Sequence, residues 1–293
     1  MSAFSRIALI GFGEVGQILA QDLAKAGVRD ISAWDTAFGK ADSIPSRALA
    51  SHAVSAAASA PDAVRDAELV ISAVTAAQDL EAARSVGAGL APGAVFLDLN
   101  SCSPGQKLAS AAAVEAAGGA YVEAAVMSPF PSKRIASPML LGGPHAEAFL
   151  ARALPLGFAG AQVFSDQVGK AAATKLCRSV MIKGVEALLT ESMLAARRYG
   201  VEQTVLDSLS DLLPLPDWNA TAYYMISRSL EHGTRRAEEM REAARTVAEA
   251  GVNPFMSDAI VERQDWAAAF KAALSENKLG AMLDAIIRDM DAQ

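Results

Sequence analysis

One predicted helix carries side chains that could move a proton. Lys175, Ser179, Ile182 and Glu186 lie at i, i+4, i+7 and i+11. Eleven steps of about 100° return to within roughly 20° of the start, so these residues share one stripe of a helix. The segment around Lys175, ATKLCRSVM, is largely apolar, and desolvation brings a lysine toward the pKa range useful for proton transfer. Lys175 is therefore a candidate general acid/base, with a solvated lysine on an amphipathic helix as the alternative.

A glycine-rich turn near the N-terminus has the spacing of a phosphate-binding site. The apolar run IALI leads directly into Gly11-x-Gly13-x-x-Gly16. In such a turn the first glycine allows the sharp bend, the second leaves room for a pyrophosphate, and the third lets the helix pack on the strand. A helix from roughly Glu14 to Ala26 would direct its N-terminal N–H groups at the phosphates. The residues predicted to contact a dinucleotide here are Gly11, Phe12, Gly13, Glu14 and Val15.

An acidic residue follows the next predicted strand, Asp30 to Trp34. Asp35 lies 35 − 11 = 24 residues after Gly11, where a carboxylate can accept hydrogen bonds from the adenosine ribose. The same carboxylate would repel a 2′-phosphate, so we expect NAD as the cofactor, with NADP less favoured. Lys40 on the following loop could serve such a phosphate and keeps NADP open. The alternative role for Asp35 is a helix or turn cap.

The elements that must position these groups form two domains. From residue 6 to about 165, strands alternate with helices, which predicts an α/β Rossmann domain with a doubly wound, mainly parallel sheet over residues 1–165. From Val168 only helical periodicity is found, beginning with a long helix to Tyr199 and predicting an all-helical domain over residues 166–293. The further predicted strands are Glu68 to Val74, Ala94 to Leu99, Tyr121 to Val126, Met139 to Leu141 and Gln162 to Phe164, and a helix is expected from Ala76 to Leu90. Helix breaks are expected at Gly200, Pro214 to Pro216, Gly233 and Gly251 to Pro254.

Polar residues at the ends of the predicted strands are the next candidates. Ligands bind beyond the carboxyl ends of the strands in open parallel sheets. Val74, Thr75 and Asn100 are therefore predicted to contact the cofactor, and Ser101 and Ser128 the substrate. Each of the polar ones could instead form a turn or a cap.

Composition excludes several classes of protein. The 293 residues carry a net charge of −7 without a basic block, which argues against nucleic acid as a partner. Two cysteines and three histidines fit neither a disulfide framework nor a metal site. No apolar run is long enough for a membrane helix, and the first strand begins too early for a secretory signal. A cytoplasmic location is expected.

The second domain offers positive charge and an apolar surface. His232, Arg235, Arg236 and Glu239 share helical spacing, so the two arginines could bind a carboxylate or phosphate together. The alternative is a solvated face with ion pairs along the helix. The long helix has more apolar positions than one small domain covers, which predicts a homodimer.

These motifs together resemble the β-hydroxyacid dehydrogenase family, which includes 3-hydroxyisobutyrate and 6-phosphogluconate dehydrogenases. Ile10 to Gly16 is similar to the family's GLGxMG, and Asp98 to Pro104 to its D-x-S-T-x-x-P. Gly169 to Ser179 is similar to G-x-G-x-x-x-K-x-x-x-N, with Ser179 in place of the asparagine. The resemblance implies that Lys175 is the general acid/base and that Ser179 is close to the substrate.

The departures from the family pattern indicate a divergent subgroup. Glu123 to Pro129 reads EAAVMSP where the family has D-A-P-V-S-G-G, and Glu238 to Met240 stands in place of K-D-L. The resemblance implies NAD-dependent oxidation of a small anionic hydroxy acid or sugar acid, or the reverse reduction. An imine reductase-like enzyme, a class that usually lacks the lysine, and a dinucleotide-binding regulator without catalysis are the alternatives.

Overall fold

The protein is described by a computed structural model that covers residues 3–209 and 217–292. The chain divides into two compact units, the first ending at Lys175 and the second beginning at Leu176. The division predicted from the sequence, between residues 165 and 166, lies ten residues earlier, and those domain ranges stay a prediction. Each unit is described separately below.

The first unit is built on an eight-stranded sheet in the order β3-β2-β1-β4-β5-β6-β7-β8. The β6–β7 pair is antiparallel, and the other pairings between described strands are parallel. The predicted fold class, a mainly parallel doubly wound sheet, is therefore confirmed. The strands are β1 Arg6–Ile10, β2 Asp30–Trp34, β3 Ser55–Ala56, β4 Leu69–Ser72, β5 Val95–Asp98, β6 Ala120–Val126, β7 Met139–Gly142 and β8 Ala161–Ser165.

Both faces of this sheet are covered by helices. Consecutive strand residues accordingly pack into two different hydrophobic cores. Ile7 and Leu9 of β1 belong to one hydrophobic cluster, whereas Ala8 and Ile10 belong to the other. A strand buried on both faces gives a continuous apolar run rather than an alternating one. The helices are α1 Glu14–Lys25, α2 Ile44–Ala48, α3 Ala60–Val64, α4 Asp79–Ser85, α5 Pro104–Ala116, α6 Phe130–Lys133, α7 Ala146–Ala153 and α8 Lys170–Tyr199, which continues into the second unit.

The helix predicted from Ala76 to Leu90 is shorter in the structure. A 3₁₀ turn covers Ala76–Gln78, and α4 ends at Ser85. The chain then passes so close to α3 that a Cβ atom on Gly89 would lie 2.1 Å from the Pro61 carbonyl oxygen. This close approach requires glycine, and the helix cannot continue through it.

The second unit is helical around an apolar core that includes Trp218, Ile226 and Phe270. The remainder of α8 is followed by α9 Glu202–Leu209, α10 Trp218–Glu249, α11 Phe255–Ala267, a 3₁₀ segment at Ala268–Ser275 and α12 Leu279–Asp291. Gly200, with φ of +68°, follows the end of α8 as predicted. Pro214 to Pro216 lie outside the described residues.

The break predicted at Gly233 corresponds to a kink in α10 one residue earlier. His232 has non-helical φ and ψ of −122° and 15°, so two helical segments meet there within α10. A Cβ atom on Gly233 would lie 2.4 Å from the Gln264 carbonyl oxygen of α11. The glycine therefore allows α11 to approach the backbone of α10. Within residues 3–209 and 217–292, the structure contains no helix with the length and apolarity needed to cross a membrane.

Candidate active site

The three glycines of the turn after β1 have the three features expected of them: a sharp bend, room for a pyrophosphate and close packing of the helix. Gly11 has φ of +93°, and a Cβ atom there would lie 2.4 Å from the Ala73 carbonyl oxygen. A Cβ atom on Gly16 would lie 2.2 Å from the Gly11 carbonyl oxygen, so α1 packs directly on the turn. Gly13, the N-cap of α1, has open space around the same position. The turn therefore leaves room for a pyrophosphate at the N-terminal end of α1, where the helix dipole favours an anion.

Asp35 links the end of β2 to this turn. Its Oδ2 accepts a hydrogen bond from the Phe12 N–H at 2.7 Å, and its Oδ1 accepts one from Ala37 at 2.8 Å. The carboxylate thus caps the 3₁₀ turn Thr36–Gly39, which is the alternative role named above. Each carboxylate oxygen has a further lone pair, so the cap leaves capacity for ribose hydroxyls.

Asn100 acts on the cofactor loop through its protein partners. Its Oδ1 accepts a hydrogen bond from the Val74 N–H at 2.7 Å, and its Nδ2 donates to Ser72 Oγ at 2.9 Å and Asp79 Oδ1 at 2.7 Å. The buried amide therefore fixes Val74 and with it the loop that carries the exposed Thr75. Direct contact of Asn100 with the cofactor stays a prediction.

A buried charge network lies behind this loop. Asp98 at the end of β5 has no exposed surface and lies 2.6 Å from Lys107 Nζ, and it also accepts a hydrogen bond from the Tyr121 hydroxyl at 2.5 Å. Burial raises the pKa of Asp98 to about 7, although Lys107 opposes this. Burial disfavours the charge on Lys107, yet Asp98 and Asp79 hold its pKa above the ordinary value. The ammonium group is therefore the counter-ion of both carboxylates.

The same network contains a group of possible metal ligands. Oxygen and sulfur atoms of Asp79, Asp98 and Cys102 lie within 4.8 Å of one another. However, Lys107 already supplies the positive charge, and burial raises the pKa of the Cys102 thiol. A protonated thiol is a poor metal ligand. These three residues therefore suit an internal charge network better than a metal ion.

The loop after β6 lacks the two glycines that end the family's D-A-P-V-S-G-G motif. Met127 packs against Ala125, Leu140 and Ala171, so its side chain fills the core. The Oγ atom of the adjacent Ser128 is buried and has no hydrogen-bond partner within the described chain. Such an unsatisfied hydroxyl costs free energy unless water or a ligand pairs with it. Ser128 is therefore available to a ligand, and Ser101 after β5 is half-buried.

Lys175 is half-buried in the second turn of α8, five residues after the helix begins at Lys170. It belongs to the same compact unit as the glycine turn. Ser179 follows one turn later in the second unit and is also half-buried, whereas Ile182 of the predicted stripe is exposed.

The two arginines of α10 have different environments. Arg236 is buried and forms an ion pair with Glu186, whose pKa is raised by burial despite this partner. Arg235 is exposed, with Nη1 3.6 Å from Glu239 Oε1. Glu186 thus neutralises Arg236, whereas Arg235 is the more accessible of the two charges. That the two arginines bind one anion together stays a prediction.

The other charged residues near the two arginines of α10 are paired as well. Glu239 also pairs with the buried Lys183, at 2.9 Å. His232 Nε2 lies 3.1 Å from Glu231 Oε2, and partial burial lowers the pKa of His232 below its ordinary value. The Glu186–Arg236 and Lys183–Glu239 pairs were not predicted, since residues 50 and more apart in sequence give no local signal of contact.

Comparisons with known proteins agree with this geometry. Residues 6–156 match the family model described as the NAD binding domain of 6-phosphogluconate dehydrogenase, and residues 196–267 match a domain of unknown function, DUF1932. The NAD-dependent L-serine dehydrogenase of Pseudomonas aeruginosa is 29% identical over 226 residues, which are 74% of this chain and 73% of that enzyme.

Two solved structures are similar over nearly the whole chain. A conserved hypothetical protein from Sinorhizobium meliloti is 34% identical with a TM-score of 0.80, and the match covers 98% of this chain and 97% of that one. The 3-hydroxyisobutyrate dehydrogenase of Mycobacterium tuberculosis, solved with L-serine, is 21% identical with a TM-score of 0.71, and the match covers 98% and 99%. The second likeness shows the fold alone.

The sheet, the glycine turn and the family match together define an NAD-dependent oxidoreductase. The chain belongs to the β-hydroxyacid dehydrogenase family, whose members act on a CH–OH group, and it carries a helical C-terminal region.

Two glycine substitutions separate cofactor binding from folding. Gly13→Ala adds a methyl group to open space, so we expect little change in stability and at least tenfold weaker NADH binding, or about 1.4 kcal/mol. Gly16→Ala places a methyl group against the Gly11 carbonyl oxygen, and we expect the free energy of unfolding to fall by roughly 1–3 kcal/mol. Denaturant unfolding and calorimetric titration with NADH measure both. Equal loss of stability in the two variants, with unchanged NADH affinity for Gly13→Ala, would contradict the assignment.

Proposed function

We propose that this protein oxidises the hydroxyl group of a small anionic hydroxy acid or sugar acid with NAD, or catalyses the reverse reduction. The observation that carries the proposal is Lys175, which is half-buried in the second turn of α8 and lies in the same unit as the glycine turn. Bound NAD supplies the hydride acceptor. Lys175 accepts the proton of the substrate hydroxyl as the hydride leaves, and returns it in the reverse direction.

The remaining proposed roles follow from hydrogen-bonding capacity and charge. Ser128 donates its unpaired hydroxyl to the reacting oxygen or to the substrate carboxylate, with Ser101 and Ser179 as further contacts. In the second unit, Arg235 supplies positive charge for the anionic group, and the neutral His232 can donate a ring N–H to it. Arg236 supports them indirectly, because its pair with Glu186 fixes α10 against α8 within that unit.

The substrate class is supported by the relatives. The Pseudomonas enzyme is named for L-serine, and a small β-hydroxy acid is therefore the first candidate substrate, with sugar acids as the second. Met127, Ser128 and Pro129 stand where the family has Ser-Gly-Gly, so we propose that side chains bind the carboxylate here. Lys175 disfavours the imine reductase alternative, and membership of an oxidoreductase family disfavours a regulator without catalysis.

We further propose a homodimer formed by the second unit. Met181 and Leu188 of α8 and Phe255 and Met256 of α11 are all at least 60% exposed. A groove of about 480 Å³ lies on the same surface. It is lined by apolar side chains such as Leu188, Met256 and Trp266, and also by the charged Glu191, Glu262 and Arg263. Exposed apolar patches of this kind are typical of association surfaces. The cytoplasmic location stays a prediction.

Lys175→Ala tests the mechanism. Loss of a positioned general acid/base costs about 10²- to 10⁴-fold in rate, so we expect at least a hundredfold lower turnover with nearly unchanged NAD affinity. The rise of the oxidation rate with pH that reflects loss of the lysine proton disappears in the variant, and arginine does not rescue it. The parent is first screened with NAD and NADP against L-serine, other hydroxy acids, sugar acids and their phosphates.

Lys170→Ala is the matched control for this experiment. Lys170 is exposed at the first position of the same helix, so its removal leaves the rate within about twofold of the parent if only a positioned lysine matters. Parent-like turnover of Lys175→Ala would contradict the mechanism and make Lys170 or Lys183 the candidate.

Asp35→Ala tests cofactor selection. The parent is expected to bind NADH more than tenfold tighter than NADPH, or by about 1.4 kcal/mol, because the carboxylate at the end of β2 repels a 2′-phosphate. In the variant, the difference between the NADH and NADPH dissociation constants is smaller. Calorimetric dissociation constants for both cofactors measure it, and equal affinities in the parent would show that Asp35 acts only as a cap.

Light scattering tests the dimer. We expect twice the chain mass of 30.4 kDa at micromolar concentration, and Leu188→Glu shifts the protein toward the monomer because it places a charge among the exposed apolar side chains Met181, Phe255 and Met256. Leu108→Glu is the control, since Leu108 is a comparably exposed leucine on α5 of the first unit. A parent protein that remains monomeric would exclude the proposal.

A further inference from the structure

A carboxylate from the middle of the sheet holds the beginning of α8. Glu123 of β6 is 1% exposed, and its Oε1 accepts hydrogen bonds from the Gly169 N–H at 2.9 Å and the Ala171 N–H at 3.0 Å. The first N–H groups of a helix have no intrahelical partner. Glu123 therefore caps α8 from 46 residues away in sequence, where helices ordinarily use a residue of their own N-terminus.

The space for this carboxylate is shaped on two further sides. Gly142 is the register partner of Glu123 in the antiparallel β6–β7 pair, and a Cβ atom on it would lie 2.2 Å from Glu123 Oε1. Gly169 has φ of +95°, and a Cβ atom there would lie 3.2 Å from Pro104. Glycine at both positions lets the carboxylate reach the helix.

Stability alone gives a poor account of Glu123. Burial raises its pKa, although the N–H of Ala171 and the charge of Lys107 oppose this. Its Oε2 is also buried without a hydrogen-bond partner in the part of the chain that the structure describes. Burying a carboxylate oxygen without a partner costs free energy, and the raised pKa shows that the hydrogen bonds of Oε1 and the charge of Lys107 offset this cost only in part.

The helix start and the proposed acid/base lie close together on one rigid element. Lys175 follows Lys170 by five residues, which is about 7.5 Å along the helix axis at 1.5 Å per residue. Because an α-helix is stiff over this length, a displacement of its first turn also displaces the lysine. A shift of about 1 Å in a reacting group is sufficient to cost on the order of 10²-fold in rate.

We propose that Glu123 is a positioning residue for the dehydrogenase reaction: its carboxylate fixes the start of α8 and so places the Lys175 amine against the substrate hydroxyl. This inference rests on the proposed function of Lys175. Glu123 takes no proton in the reaction. It acts through the hydrogen bonds that its carboxylate accepts from the Gly169 and Ala171 N–H groups.

Substitutions at Glu123 and Gly142 separate the effect of the side-chain length of Glu123 from the effect of its charge. Glu123→Gln keeps an oxygen at the same distance, so kcat stays within about threefold of the parent. Glu123→Asp keeps the charge but is shorter by one methylene group, about 1.5 Å, and kcat falls at least tenfold. Gly142→Ala crowds the carboxylate and gives a similar fall. NADH affinity by calorimetry remains within twofold in all three, since the glycine turn is elsewhere in the unit.

A double-mutant cycle connects the two positions. Gly142→Ala acts through Glu123, so Glu123→Ala/Gly142→Ala has no lower kcat than Glu123→Ala alone. Phe149→Leu, on the buried side of α7 in the hydrophobic core, is the control for stability, because it lowers the melting temperature without lowering kcat of the folded enzyme. Parent-like kcat for Glu123→Asp and Gly142→Ala would overturn the inference, and so would additive losses in the double variant.

Lys175→Ala is measured in the same assays. If it is inactive while Glu123→Asp turns over like the parent, the positioning role fails and the proposed function stands. If Lys175→Ala retains the parent rate, the proposed role of Lys175 and this inference both fail, whereas the oxidation of a hydroxy acid with NAD still stands.

Discussion

The ion pair between Asp98 and Lys107 is the interaction on which the ligand side of the sheet depends. Asp98 comes from β5, Lys107 from α5 and the hydrogen-bonded Tyr121 from β6, so one buried carboxylate joins three neighbouring elements. Removing one member of a buried pair typically costs 3–5 kcal/mol, because the other charge is left uncompensated. The Asp98 Oδ1 atom also accepts a hydrogen bond from the Asn100 N–H at 2.8 Å, and Asn100 in turn holds Val74. The loop after β4 is therefore held in place by Asp98 through Asn100.

Much of the first unit was predictable from local sequence. Parallel strands buried on both faces produce apolar runs that stand out from their surroundings, and Gly11, Gly13 and Gly16 occur at a spacing that few other turns require. The strand ends differ from the predictions by one or two residues. The predicted helix extended past the end of α4 at Ser85, although Gly87 and Gly89 follow as local signals for a helix end. The close approach of Gly89 to Pro61 could not be foreseen, since it joins segments that local periodicity cannot relate.

The candidate site was predictable only where its residues follow a motif. Asn100 was correctly placed at a strand end, but its partners Ser72 and Asp79 come from other segments. Likewise, Arg235 and Arg236 were grouped by helical spacing, although adjacent residues of a helix lie about 100° apart. The partner that buries Arg236 is Glu186 of α8, and the local sequence of α10 contains no sign of that contact.

The ring of Phe12 has a consequence for cofactor binding. It is fully buried in the glycine turn, with Phe38 and His52 at centroid distances of 5.9 and 5.5 Å, and its N–H group is held by Asp35. Folding of the unit thus orders the turn before any dinucleotide arrives. A preorganised turn loses little conformational entropy when its ligand binds. The affinity for the cofactor is accordingly coupled to the local stability around Phe12, and substitutions that loosen this aromatic cluster weaken binding without touching the ligand.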